Sequence, residues 1–162
     1  MDQPDDSHPY SDPPELYAAH LVTCRSYWYD HRRPEAGISL AGILIHIEPP
    51  EGSSFPLIID RICIYFQLWG TVCEYRLRIR LVRVAAADGE EDLEIQLGSD
   101  GSPREFPMPT NRPAEIDGIN YKNDFAFPIF KVPFAESGVY EFQLWADGID
   151  QPIACERILA RE

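Results

Sequence analysis

The sequence predicts an all-β fold: a two-sheet antiparallel β-sandwich, immunoglobulin-like, with about eight or nine strands. Three observations carry that expectation. In residues 62–81, apolar and polar side chains alternate with period two on both sides of Gly70-Thr71, as in a half-buried β-hairpin. Val139 to Ala146 alternates likewise and runs into Asp147-Gly148, a dipeptide suited to the positive backbone angles of a tight turn. No long stretch keeps a helical period, and 15 prolines in 162 residues favour turns and interrupted strands.

Taken in order, residues 1–15 combine Pro4, Pro9, Pro13 and Pro14 with Asp2, Asp5, Asp6 and Asp12, which predicts a flexible acidic N-terminal tail. Residues 16–162 are expected to form a single β-sandwich domain, long enough to bury its core without a disulfide or metal staple. Pro13, Pro14 and Glu15 suit the first turn of a short helix reaching His20. A first strand is expected at about 18–27, followed by a loop from Tyr27 to Gly37. Ile38 to Ile47 is apolar on both alternating sets and reads as a central strand covered on both faces. Gly42 within it permits a bulge or the close approach of a neighbouring side chain.

The next segment reads as the first hairpin. Ile62, Ile64, Phe66 and Leu68 face one way, and reversal at Gly70-Thr71 sets Phe66 opposite Tyr75 and Ile64 opposite Leu77, so one register gathers the apolar residues on one face. After a turn at Asp88-Gly89, Leu93, Ile95 and Leu97 are expected to point inward, whereas residues 98–124 lack periodicity. Phe125 to Phe134 carries Pro128 and Pro133, which cannot donate ladder hydrogen bonds and so place that strand at a sheet edge. The second hairpin returns through Ile149 to Ile158.

The net charge of −13 is unevenly spread. Residues 1–17 hold five acids and no Lys or Arg, 18–84 hold eight arginines against six acids, and 85–162 hold sixteen acids against six bases. Such a chain is expected to repel phosphate backbones unless a basic face is concentrated somewhere. Cys24, Cys63, Cys73 and Cys155 match no zinc or redox spacing and read as reduced, mostly buried cytosolic thiols. Cys63 and Cys73 fall on opposite faces of the expected hairpin, which disfavours a bond between them. The opening Met-Asp-Gln-Pro-Asp-Asp lacks the features of a signal peptide, and no run approaches the roughly 18–20 apolar residues of a membrane span. A cytoplasmic location follows as the expectation.

Ile38-Ser-Leu-Ala-Gly-Ile-Leu, Phe55-Pro-Leu, Glu74 to Val82, and Phe134-Ala-Glu-Ser-Gly-Val-Tyr-Glu-Phe-Gln-Leu-Trp-Ala-Asp-Gly together resemble an uncharacterised bacterial family of small β-sandwich proteins. The resemblance covers roughly residues 18–160. It implies the sandwich fold and a cytosolic bacterial origin, and it supplies no catalytic residues.

Chemistry has three places to sit. Arg76, Arg78 and Arg80 would project from one face at about 7 Å spacing, with Tyr65 and Trp69 on the same face of the partner strand, a surface able to hold an acidic peptide through cation–π and ionic contacts. The plainer reading pairs these arginines with Asp92 or Glu94 on the next strand. Trp28, Tyr29 and Arg32 lie in an aromatic and charged loop that either recognises a partner or plugs an open end of the sandwich. A metal site would need His20, Cys24 and His46 to converge; otherwise His46 bonds to backbone or a nearby acid. No nucleophile elbow, phosphate-cradling glycine loop or dinucleotide fingerprint is present.

The expectation is therefore a non-enzymatic protein-interaction or assembly module, with no catalytic residues, no metal and no cofactor. Its partner would be another protein, with no nucleic acid and no membrane. Pro128 and Pro152 would discourage edge pairing, so a monomer or weak dimer is expected. The alternatives are a small-ligand or carbohydrate-binding module using Trp28, Trp69 or Trp145, and a metal-dependent enzyme.

Overall fold

The computed structural model describes residues 16–32, 37–70, 75–85, 91–95, 97, 104–108 and 121–162. Among the described residues there are ten strands and no helix. In chain order they are β1 (Leu16–Tyr29), β2 (Ile38–Ile43), β3 (His46–Ile47), β4 (Leu57–Gly70), β5 (Tyr75–Arg83), β6 (Leu93–Ile95), β7 (Arg104–Met108), β8 (Tyr121–Phe134), β9 (Gly138–Ala146) and β10 (Ala154–Ala160). One sheet has the order β2-β1-β4-β8; the other runs β3-β10-β9-β5-β6, with β7 also paired to β5. Every pairing is antiparallel except β3 with β10. No described helix is long and apolar enough to cross a membrane.

The expected first hairpin is corrected by this partition. β4 pairs with β1 and β8, while β5 pairs with β9, β6 and β7 in the other sheet. Ile62, Ile64, Phe66 and Leu68 are nevertheless buried, as are Leu77, Ile79 and Leu81. Alternation fixes which side chains leave water; it does not fix which strand supplies the hydrogen bonds, so consecutive strands can face each other across the core. Phe66 packs on Phe125 of β8 with ring centroids 5.2 Å apart, and Phe134 of the first sheet meets Tyr140 of the second edge-on at 4.8 Å. Full burial of each such side chain contributes about 1.5–3 kcal/mol.

Ile38 to Ile47 is likewise not one central strand. It divides into β2, at an edge of the first sheet, and β3, in the second. Gly42, at φ 65°, marks the departure. The chain is then held where it crosses, because the Leu44 N–H donates to Thr23 O at 2.9 Å and Thr23 Oγ1 donates to Leu44 O at 3.1 Å.

Other boundaries move for similar reasons. β1 runs through both the expected short helix and the start of the expected loop, as pairing with β4 and β2 outweighs local signals. β7 occupies part of the stretch without periodicity, and β8 starts at Tyr121. Leu97 is buried as expected, but Leu93 is 58% exposed at a sheet margin. The second hairpin forms between β9 and β10, although Asp147-Gly148 opens a longer connection that also contains Pro152. β8 is an edge strand, in keeping with Pro128 and Pro133. The acidic tail, Cys73 and the reversal at 71–74 lie outside the described residues.

Candidate functional site

The sequence-derived site residues separate into three places. Tyr65 belongs to the first sheet, where its hydroxyl donates to Asp124 Oδ1 at 3.2 Å and accepts from Gln67 Nε2 at 2.7 Å. Burial, foremost, and the Asp124 carboxylate push its phenol up from the ordinary value. Arg78 and Arg80 belong to the second sheet, on β5, so the expected face shared by Tyr65 and Trp69 with Arg76, Arg78 and Arg80 does not exist. Of Trp69 and Arg76 only the backbone placement, on β4 and β5, falls within the described residues.

The aromatic beside the arginines is Trp145 of β9. Arg80 Cζ lies 5.1 Å from its ring centroid, and Arg80 is ion-paired with Glu94 of β6. Trp145 Nε1 donates to Gln143 Oε1 at 3.0 Å, Gln143 Nε2 to Glu141 Oε1 at 2.8 Å, and Arg157 Nε to Glu141 Oε2 at 2.8 Å. Burial alone would raise the Glu141 carboxyl, but the donors Gln143, Arg157 and Cys155 together hold it below its ordinary value. Of the pairings expected for the arginines, Arg80 with Glu94 is formed.

Trp28 and Tyr29 end β1 and are 56% and 40% exposed. The Tyr29 ring meets His31 edge-on at 4.9 Å, and the Arg32 N–H donates to Asp30 Oδ1 at 2.9 Å. Trp28 and Trp145 sit in different sheets. His20 and His46 are also in different sheets, and no three His, Cys, Asp or Glu among the described residues are grouped to hold a metal.

A cleft of about 560 Å³ opens where the chain changes sheets. Its cationic and titratable side chains are Arg25, His46 and Arg61; its acids are Glu48 and Asp60; its apolar wall is Leu44, Ile47, Pro49 and Ile59. Local backbone chemistry presents the arginines. Gly42 lacks a Cβ, and one placed there would stand 3.1 Å from the Arg25 side-chain carbons, so glycine lets the Arg25 stem lie across β2. In β4, Ile59 is partly buried, Ile58 is 60% exposed and Ile62 is fully buried. The inward parity thus shifts across Asp60-Arg61, opposite Lys131 with its left-handed φ of 54°. Arg61 Nη2 then reaches Arg25 O at 3.5 Å, bringing the two arginines together, and Cys63 Sγ lies at 3.5 Å from the same oxygen.

The two acids of the lining, equal in number to its arginines, pair with cations outside it, and Glu48 also lies 3.9 Å from His46. Asp60 Oδ1 is paired with Lys131 Nζ at 2.5 Å, and Glu48 Oε1 with Arg161 Nε at 2.6 Å, both cations outside the lining. The hydrogen bond and charge of Lys131 hold the Asp60 carboxyl below its ordinary value. Arg25 and Arg61 have no carboxylate partner among the described residues. Sequence reasoning missed both, because neither belongs to a motif; the available signal was Asp60-Arg61 interrupting the apolar run from Leu57 to Cys63.

No protein-family model and no curated protein matches the chain. Among solved structures, the chain is similar to the Pseudomonas fluorescens alkylpurine DNA glycosylase AlkC bound to DNA containing an abasic site analogue, at 11% identity and a TM-score of 0.42. The likeness covers 91% of this chain and 31% of that one, so the chain spans about a third of that protein's length. Two expectations are not carried further: the protein-interaction or assembly module, and the exclusion of nucleic acid, against which a DNA-bound neighbour stands. The exclusion rested on the net charge, and a net charge averages over a surface that includes local basic pairs such as Arg25 and Arg61. At that TM-score the likeness assigns no activity to this chain.

Proposed function

We propose that this chain binds an oxyanion, a phosphate or carboxylate group, in the cleft between Arg25 and Arg61, on a two-sheet sandwich of immunoglobulin-like kind. One observation carries the reading: both acids of the lining are neutralised by Lys131 and Arg161, while the two guanidiniums face no carboxylate among the described residues. Guanidinium presents a planar fork of donors that fits such oxygens in pairs. The cleft volume lies within the range of ordinary ligand sites. The described lining holds donors for an anion, and binding is the role proposed for it.

Titration calorimetry with inorganic phosphate at fixed ionic strength tests this. Saturable binding is expected, weakened at least tenfold by Arg25→Gln or Arg61→Gln, since a hydrogen bond to a charged group is worth about 1.5–3 kcal/mol. No saturable binding by the wild-type protein, or unchanged affinity in both variants, overturns it.

A further inference from the structure

We infer that the oxyanion taken by this cleft carries an aliphatic chain, an assignment that rests on the oxyanion reading and narrows its ligand class. The wall beside Arg25 and Arg61 is built of Leu44, Ile47, Pro49 and Ile59, and no Trp, Tyr or Phe among the described residues lines it. Leu44 and Ile47 are buried, and Ile59 is partly buried against the core. The described lining therefore gives a nucleobase or sugar ring no aromatic face to stack on. Methylenes, in contrast, gain from contact with branched aliphatic side chains simply by leaving water. A charged head held by two guanidiniums and a hydrocarbon body along this wall would satisfy both halves of the lining.

The measurement is a calorimetric series on the full chain with inorganic phosphate, butyl phosphate, hexyl phosphate and phenyl phosphate. Each methylene that is buried should tighten binding about fourfold, so hexyl phosphate is expected to bind at least tenfold tighter than inorganic phosphate and tighter than phenyl phosphate. Ile59→Thr should flatten the dependence of affinity on chain length. The slope from butyl to hexyl in the wild-type protein gives the same answer should that variant not fold. Equal affinity across the series overturns the aliphatic assignment and leaves the oxyanion reading standing, and so does a preference for phenyl phosphate. Failure of every phosphate to bind removes both. Phosphatidylcholine vesicles containing phosphatidic acid separate the sources of such a ligand: retention on them, lost in Arg25→Gln, assigns a lipid headgroup, and hexyl phosphate binding without retention assigns a free amphiphile.

Discussion

Thr23 and Leu44 are tied to each other twice, backbone to backbone at 2.9 Å and hydroxyl to carbonyl at 3.1 Å, at the step where the chain leaves one sheet for the other. Both residues are buried, so no water replaces a lost partner. Thr23→Val keeps the shape and removes the donor. It should destabilise the protein by about 1–3 kcal/mol, read as a lower denaturation midpoint at unchanged slope.

How much of this was legible can be seen at particular residues. The inward rows, Ile62 to Leu68 and Leu77 to Leu81, follow from alternation alone and are buried. Their partners do not follow, because pairing depends on non-local geometry that period two does not encode. The crossing at Leu44 had a visible cause in Gly42, yet the direction it sends the chain depends on Thr23, 21 residues earlier. The cleft was illegible for the same reason: Arg25, His46 and Arg61 come from three separate strands, and only the fold makes them neighbours.

Glu141 gives the acid limb of stability. Its carboxyl is held below its ordinary value in the folded protein, so its contribution is complete above the unfolded carboxyl value and is lost as pH falls through the folded one. Stability should therefore decline below about pH 4.5. Glu141→Gln should flatten that decline and cost about 1–3 kcal/mol at pH 7. Denaturant titrations between about pH 3 and 7 measure both effects.

Lys131 combines two opposing roles. Its left-handed backbone costs a residue with a Cβ about 1–2 kcal/mol relative to glycine, while its ammonium covers Asp60. Lys131→Gly should leave folding stability unchanged or raise it by up to about 1 kcal/mol. The bared Asp60 charge should at the same time weaken phosphate binding, so thermal denaturation and calorimetry should move in opposite directions.

Cys155 is exposed, yet its thiol is pushed up to about 11 by burial of the sulfur, foremost, and by the Glu141 carboxylate that it bonds. The thiolate is the reactive form. Alkylation at pH 8, followed by mass spectrometry of the Cys155 peptide, should run roughly 100-fold slower than for an unperturbed thiol. Glu141→Gln should recover part of that rate.

The separation of β4 and β5 into opposite sheets has a kinetic side. The two segments are close in sequence, and their alternation would also satisfy a local ribbon that zips within about 1–10 μs. The pairings actually made, β4 with β8 and β5 with β9, span some 60 residues each, and long closures are slow. A chain that takes the quick ribbon has to undo it before the native layers can assemble, so the same amphipathic rhythm that builds the interior also encodes its nearest competitor.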